Sequence, residues 1–132
     1  MGFLLDEYRG GWAFRYLREA KADLMNAEKA PTSSISVNLS VLSMKKSQAA
    51  VYFSLGDPAY LDSMVKFKLK IGGKIRDEFM GCLVQIERII QRASEQINIY
   101  NRVRTLREAK YINEIAQEVV ELVTDVEVKK NI

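Results

Sequence analysis

The sequence contains no histidine. That absence removes imidazole acid–base catalysis, Ser-His-Asp and Cys-His nucleophiles and histidine metal ligands at once, and with them the Glu-x-x-His pairs of a di-iron bundle. A single cysteine, Cys82, forms neither an internal disulfide nor a thiolate zinc site. It falls on an apolar helical stripe, so a buried thiol is expected. Only two prolines and seven glycines interrupt 132 residues that are 48% hydrophobic, which favours helix over sheet and allows one well-filled core. No apolar run approaches the ~18 residues of a membrane-spanning helix, so no membrane partner is expected. Residues Met1 to Leu5 show no basic segment leading into an apolar one, and Asp6 stands where a myristoylation signal wants Ser or Thr. A reducing, cytoplasmic setting fits. No catalytic constellation or cofactor motif stands out, so a non-catalytic protein without a cofactor is the expectation.

What is present is helical periodicity. From Ile75 to Ile97, apolar residues recur at steps of three and four: Ile75, Phe79, Cys82, Leu83, Ile86, Ile89, Ile90, Ala93 and Ile97. Polar residues such as Glu87 and Arg88 fill the gaps. This stripe is the strongest in the chain and predicts the helix on which the others pack. Residues 3–30 read as a first helix with Leu5, Tyr8, Trp12, Tyr16, Ala20, Leu24 and Ala27 on one face. Gly10-Gly11 allows a bend or a later start, and Pro31 ends the helix. Asn38 is a fitting N-cap for a second helix over 39–55 that carries Leu39, Leu42, Ala49, Tyr52, Phe53 and Leu55. Gly56-Asp57-Pro58 reads as a left-handed C′ glycine, an N-cap and a first helical residue. Over 65–71 the alternation of Val65, Phe67, Leu69 and Ile71 with lysines is a strand signal. A lone strand would leave its ladder unpaired, so helix is preferred for 58–71, with a break at Gly72-Gly73. Residues 98–104 read as a turn. Thr105 with Glu108 matches a capping box, Asn101 being the alternative cap, and a last helix runs to about Val126. The fold expected is all-α: an antiparallel up-and-down bundle of four to five helices, one domain over 1–132.

Charge is unevenly spread. Residues 1–65 are neutral overall, residues 66–110 carry a net +6 and residues 111–132 a net −3. The basic middle contains Arg102, Arg104, Arg107 and Lys110, flanked by Tyr100 and Tyr111, at the predicted start of the last helix. Cations there oppose the helix macrodipole, which suggests a role other than stabilising the fold. Arginines with aromatics hold phosphates and stack bases, so Arg102, Arg104, Arg107, Lys110 and Tyr111 are the candidate RNA- or nucleotide-binding residues, with surface salt bridges as the structural alternative. Lys66, Lys70 and Lys74 share a helical face and, with Lys45 and Lys46, could widen this surface. Glu114, Glu118, Glu121 and Asp125 form a carboxylate row, read as a solvated face rather than a metal site because no second pair completes a shell. Trp12, Tyr16, Phe53 and Phe79 are expected in the core. Apolar residues off the main stripes (Phe3, Leu4, Phe14, Val51 and Met80) point to a subunit interface and a homodimer, or to a partner protein.

Three segments carry a family resemblance. Residues 16–28, from Tyr16-Leu-Arg-Glu-Ala to Asn-Ala-Glu28, resemble the first helix of HEPN-type bundles. Lys46-Ser-Gln-Ala-Ala50 resembles their second-helix pattern, and Leu106-Arg-Glu-Ala-Lys-Tyr111 the segment leading into their last helix. The resemblance implies a helical bundle. Its catalytic members are ribonucleases that use an Arg, a short spacer and a His. Here Arg104 or Arg107 stands for the arginine, but Lys110 or Tyr111 occupies the histidine position, so the implied role is that of a non-catalytic member: a nucleotidyltransferase partner or a binding module. The lack of histidine and the Lys/Glu/Ile-rich makeup also resemble small archaeal proteins. Three expectations follow, in falling order: a module that binds RNA or a nucleotide through the basic cluster, a protein-interaction bundle that meets itself or another protein, and an enzyme that works with Arg, Lys, Tyr or carboxylate chemistry and Mg²⁺.

Overall fold

A computed structural model describes residues 2–75, 77–95 and 101–130, with side chains described for 8–75, 77–95 and 101–124. Among these residues all regular structure is helical. The five helices are α1 (Gly2–Lys29), α2 (Ser33–Leu55), α3 (Pro58–Ile71), α4 (Glu78–Glu95) and α5 (Arg102–Lys130). The expected all-α bundle is therefore observed, and the alternating stretch 65–71 is helix.

The bundle is built around α2, not around the strongly periodic 75–97 stretch. Helix α2 alone touches all four other helices, whereas α4 touches α2, α3 and α5 from the outside. A peripheral helix buries one face and so shows a clear stripe: Leu83, Val84, Ile86, Ile89, Ile90 and Ala93 on α4. A central helix is buried on several sides and has none. Helix α2 buries Val37, Val41, Met44, Ala50, Val51 and Tyr52 together with Ser36, Ser40, Ser43 and Ser47. Val51, expected as surplus surface, is therefore core, and Leu42, expected inward, is exposed.

The serines explain how α1 and α2 meet. Ala13, Ala20 and Ala27 recur every seven residues on α1 and are fully buried. Opposite them, running the other way, stand Ala50, Ser43 and Ser36. Ser36 Oγ donates to the Ala27 carbonyl at 2.8 Å and Ser43 Oγ to the Ala20 carbonyl at 2.6 Å. A side chain that reaches the neighbouring helix's main chain at that distance requires small residues on both sides of the seam. Helix α5 joins with Ala109, Ile112, Ala116 and Val120, and Asn113 Nδ2 donates to Ser43 Oγ at 2.9 Å and to the Ala109 carbonyl. A hydrogen-bonded chain thus crosses the buried centre from α5 through α2 to α1. Two apolar clusters flank it. One gathers Leu17, Val51, Val65, Leu83 and Val120, and the other Leu24, Met44, Ile86, Ile90 and Ile112.

Local sequence signals hold at some helix ends and yield to packing at others. Helix α1 runs through Gly10-Gly11 without a break. Its buried face is Ala13, Leu17, Ala20, Leu24 and Ala27, displaced from the expected stripe, so that Trp12 and Tyr16 sit half-buried at the rim. There Trp12 and Tyr16 stack on Phe53 at 6.0 and 5.6 Å between ring centroids. Helix α2 starts earlier than expected. Thr32, not Asn38, is its N-cap, with Thr32 Oγ1 accepting from the Ile35 N–H, while Asn38 bonds back to the Ser34 carbonyl inside the helix. Gly56 is extended (φ 168°) rather than left-handed; Gly72 and Gly73 (φ 76° and 91°) are the left-handed pair that ends α3. Asp57 and Pro58 act as expected, Asp57 Oδ1 accepting from the Ala59 and Tyr60 N–H groups. Asp77 caps α4 in the same way, which places Ile75 before the helix. Ile97 and the Asn98–Tyr100 part of the expected turn lie outside the described residues, as do the Phe3 and Leu4 side chains.

Candidate functional site

The start of α5 separates the basic residues that the sequence grouped together. Asn101, the alternative cap, closes the helix: its Oδ1 accepts from the Val103 and Arg104 N–H groups at 2.8 and 3.2 Å. Thr105 does not cap. It is buried and donates from Oγ1 to the Asn101 carbonyl at 2.8 Å. Glu108 does not reach back as a capping box requires; it takes Arg92 Nη2 at 3.0 Å and Arg104 Nε at 3.9 Å. With the helix starting at Arg102, the first side chain turns toward α1. There Arg102 Nη2 donates to the carbonyls of Glu28 (3.1 Å) and Ala27 (3.5 Å). A cation on the last carbonyls of a helix satisfies acceptors that have no intrahelical donor and lies at the negative end of the dipole. Arg102 therefore closes α1 and stands apart from the other candidates.

Arg104, Arg107, Lys110 and Tyr111 do share the solvent face of α5. Glu114, Glu118 and Glu121 continue that face; the Asp125 side chain lies outside the described residues. Among the described residues no group of three or more His, Cys, Asp or Glu is placed to hold a metal ion. Along one edge of the face runs a groove of about 390 Å³ between α1 and α5, with Leu24 and Asn113 below and Lys21, Lys110, Glu114, Gln117 and Glu118 at its rims.

The lysines form a second surface rather than an extension of the first. Lys46 is engaged with Asp23 at 2.8 Å and Glu19 at 3.9 Å on α1. Lys66, Lys68, Lys70 and Lys74 are exposed on α3 and the loop after it, with Lys66 held by Asp62 at 2.9 Å and its pKa raised first by that hydrogen bond. Residues 63–74 hold these four lysines and no carboxylate. Helix α3 is apolar on two sides. Leu61, Val65 and Leu69 face the core, with Val65 fully buried. Tyr60, Phe67 and Ile71 lie on the opposite side, 66%, 63% and 63% exposed, with Met64 between them at the same helical spacing. Phe79, expected in the core, is 45% exposed at the start of α4.

A third polar feature escaped the sequence reading. Glu87, placed on the solvent side by periodicity, is only 4% exposed. Its two carboxylate oxygens accept from Gln48 Nε2 at 2.7 Å and Gln91 Nε2 at 2.9 Å, and Gln48 also reaches the Tyr52 hydroxyl at 3.2 Å. Burial, followed by the nearby Glu87 carboxylate, pushes the Tyr52 phenol well above its usual pKa. Helical spacing alone carries no signal for such a residue, because its partners come from α2 and from one turn further along α4. The Cys82 thiol, half-buried rather than buried, is pushed up by desolvation and so is poorly nucleophilic.

No family model, curated protein or solved structure matches the chain. No helix among the described residues is long and apolar enough to cross a membrane.

Proposed function

We propose that the protein is an interaction bundle whose α3 holds an acidic amphipathic helix of a partner protein. The observation that carries this reading is the second apolar face of α3: Tyr60, Phe67 and Ile71 stand more than 60% exposed in one stripe while the first face is packed in the core. A contiguous exposed stripe of large apolar side chains, rimmed by charge, is the mark of a protein contact. The rim selects the partner. Lysines flank the stripe on both sides and no carboxylate lies between Ser63 and Lys74, so carboxylates beside the partner's apolar residues complete it. The HEPN-type resemblance supports the same class of role, since family members without the catalytic histidine act as partners or binding modules.

Titration of a labelled amphipathic peptide, leucines on one face and glutamates beside them, tests the reading by fluorescence anisotropy. Saturable binding that weakens with salt and is lost in Phe67→Ser and Ile71→Ser is expected, with no binding of the same peptide carrying lysines for glutamates. Equal affinity for both peptides, or none for either, overturns it. The exposed positions of Arg104, Arg107, Lys110 and Tyr111 on one helix face favour a second reading, a phosphate-binding surface for RNA or a nucleotide. Salt-sensitive binding of single-stranded RNA that disappears when Arg107 and Lys110 become Gln, and not when α3 is altered, selects that reading.

A further inference from the structure

The outer face of α5 is charged against itself. Arg104, Arg107 and Lys110 occupy the half nearer the helix start, and Glu114, Glu118 and Glu121 the half beyond; all six are exposed. Neighbours at three- and four-residue spacing along this face are of like sign: Arg104 with Arg107, Arg107 with Lys110, Glu114 with Glu118, Glu118 with Glu121. Like charges at those spacings repel within a helix, and only Lys110 with Glu114 is a favourable pair. The cations also lie toward the positive end of the helix dipole. The Arg104–Glu108 contact relieves one of them and leaves the pattern in place. Lys21 of α1 shares the groove with Glu114 and Glu118, but along α5 itself the sorted order sets like charges beside one another.

The same order becomes favourable against its own reversal. Arg107 and Glu118 lie at equal distances from a point midway between Ile112 and Asn113, about 8 Å on either side at ~1.5 Å per residue. Arg104 and Glu121 lie about 13 Å on either side of that point by the same rise. Val103 and Leu122, both more than half exposed, sit just outside them at the two ends. The groove between α1 and α5 opens beside the centre.

We infer that this face binds a second copy of the chain, the two α5 helices lying antiparallel so that Arg107 of each meets Glu118 of the partner subunit. The contact is isologous and closes as a two-fold dimer. Arg107 and Glu118 are also only about 20° apart around the helix, so both point along the middle of the face. A parallel pairing sets like charge on like charge and is excluded by the same pattern. A polyanion meets attraction on one half of the face and repulsion on the other, so the sorted charges select a self-complementary partner. This surface is separate from the α3 stripe, and the inference stands whether or not that stripe takes a partner.

The test is sedimentation velocity of the whole chain over a concentration series, at about 0.01 M and about 1 M salt, where the screening length falls from ~30 Å to ~3 Å. The native chain is expected to dimerise, more weakly at high salt. Arg107→Glu alone and Glu118→Arg alone are each expected to weaken self-association at least about tenfold, since each sets two like charges together. The double exchange R107E/E118R restores it. Mixing the two single variants is the sharper arm: neither associates with itself, yet together they form a heterodimer. Both side chains are exposed, and circular dichroism of each variant confirms the fold. A native chain that stays monomeric at low salt overturns the inference, as does a dimer indifferent to all three exchanges. A monomer that binds single-stranded RNA through Arg107 overturns it in favour of a phosphate-binding face.

Discussion

Helices α2 and α4 teach opposite lessons about what a stripe means. Helix α4 has the cleanest apolar periodicity and lies at the edge of the bundle; α2 has little periodicity and touches every other helix. The difference is geometric. A helix that meets solvent on one side must segregate its residues, and one that meets protein on several sides is sorted by size instead. In α2 the sorting puts Ser36, Ser43 and Ala50 against α1 and larger side chains such as Met44 elsewhere. The α1–α2–α5 seam is therefore tight and specific, while α3 and α4 form an outer arm held mainly by apolar burial.

That contrast can be broken at the seam. Ser43→Leu inserts a large side chain where hydroxyl and main chain now meet at 2.6 Å, and removes the acceptor of Asn113. A loss of about 3–4 kcal/mol in chemical denaturation is expected from overpacking and the lost hydrogen bonds. Asn113→Ala removes the side chain that bridges α5 to α2, and a loss of about 2 kcal/mol on the same measurement would place α5 within the tight core. At Tyr52, where α2 meets the arm, the folded chain holds the phenolic proton more firmly than the unfolded chain does. The stability this contributes is complete below the unfolded value of about 10 and is lost as pH rises beyond it, so thermal denaturation from pH 9 to 11 should show a fall that Tyr52→Phe reduces. Gly10→Ala and Gly11→Ala test whether the free end of α1 belongs to the seam. An added Cβ meets nothing within 4 Å at either position, so each should gain up to about 1 kcal/mol through helix propensity. Phe67→Ser on the outer side of α3 should change stability by less than about 0.5 kcal/mol while removing the docking stripe.

The helices and the ends marked by strong local chemistry were legible. Pro31 and Asp57-Pro58 punctuate the chain where the sequence put them. The starts of α2, α4 and α5 lay three to six residues from the expected places, and Asn101 prevailed over the favoured Thr105–Glu108 box. The helical reading of 65–71 followed from the want of a strand partner. The order of packing was not legible. Serine counts as polar in any periodicity, so a helix that uses four of them as small core residues looks weak and is passed over as the centre. The displaced face of α1 has the same origin, because Ala13 carries less apolar weight than Trp12 although it lies deeper. Glu87 was misplaced because its burial rests on two glutamine amides, one of them 39 residues away. For the candidate site, the sequence placed Arg107 and Lys110 on the last helix but read Arg102 and Arg104 into the turn before it, whereas α5 begins at Arg102. It could not foresee that Arg102, two residues before Arg104, would point to another helix end. Nor did the strand-like alternation in α3 announce that it divides into one buried and one bare side.

The Arg102 tether has a consequence for the order of assembly. The Glu28 carbonyl it takes lies 74 residues upstream, so this acceptor gains its α5 donor only on docking, while Ser36 of α2 already holds the Ala27 carbonyl. Helices α1 and α2 are joined by a short turn and can zip early through their alanine–serine seam. Docking α5 must first close the chain from Gly56 to Asn101, at ~3 kcal/mol of loop entropy. The arm of α3 and α4 is thereby a detour between two early partners and a late third. In kinetic terms, Arg102 reports the last step: its replacement should leave the early hairpin's formation untouched and appear as faster undocking of α5.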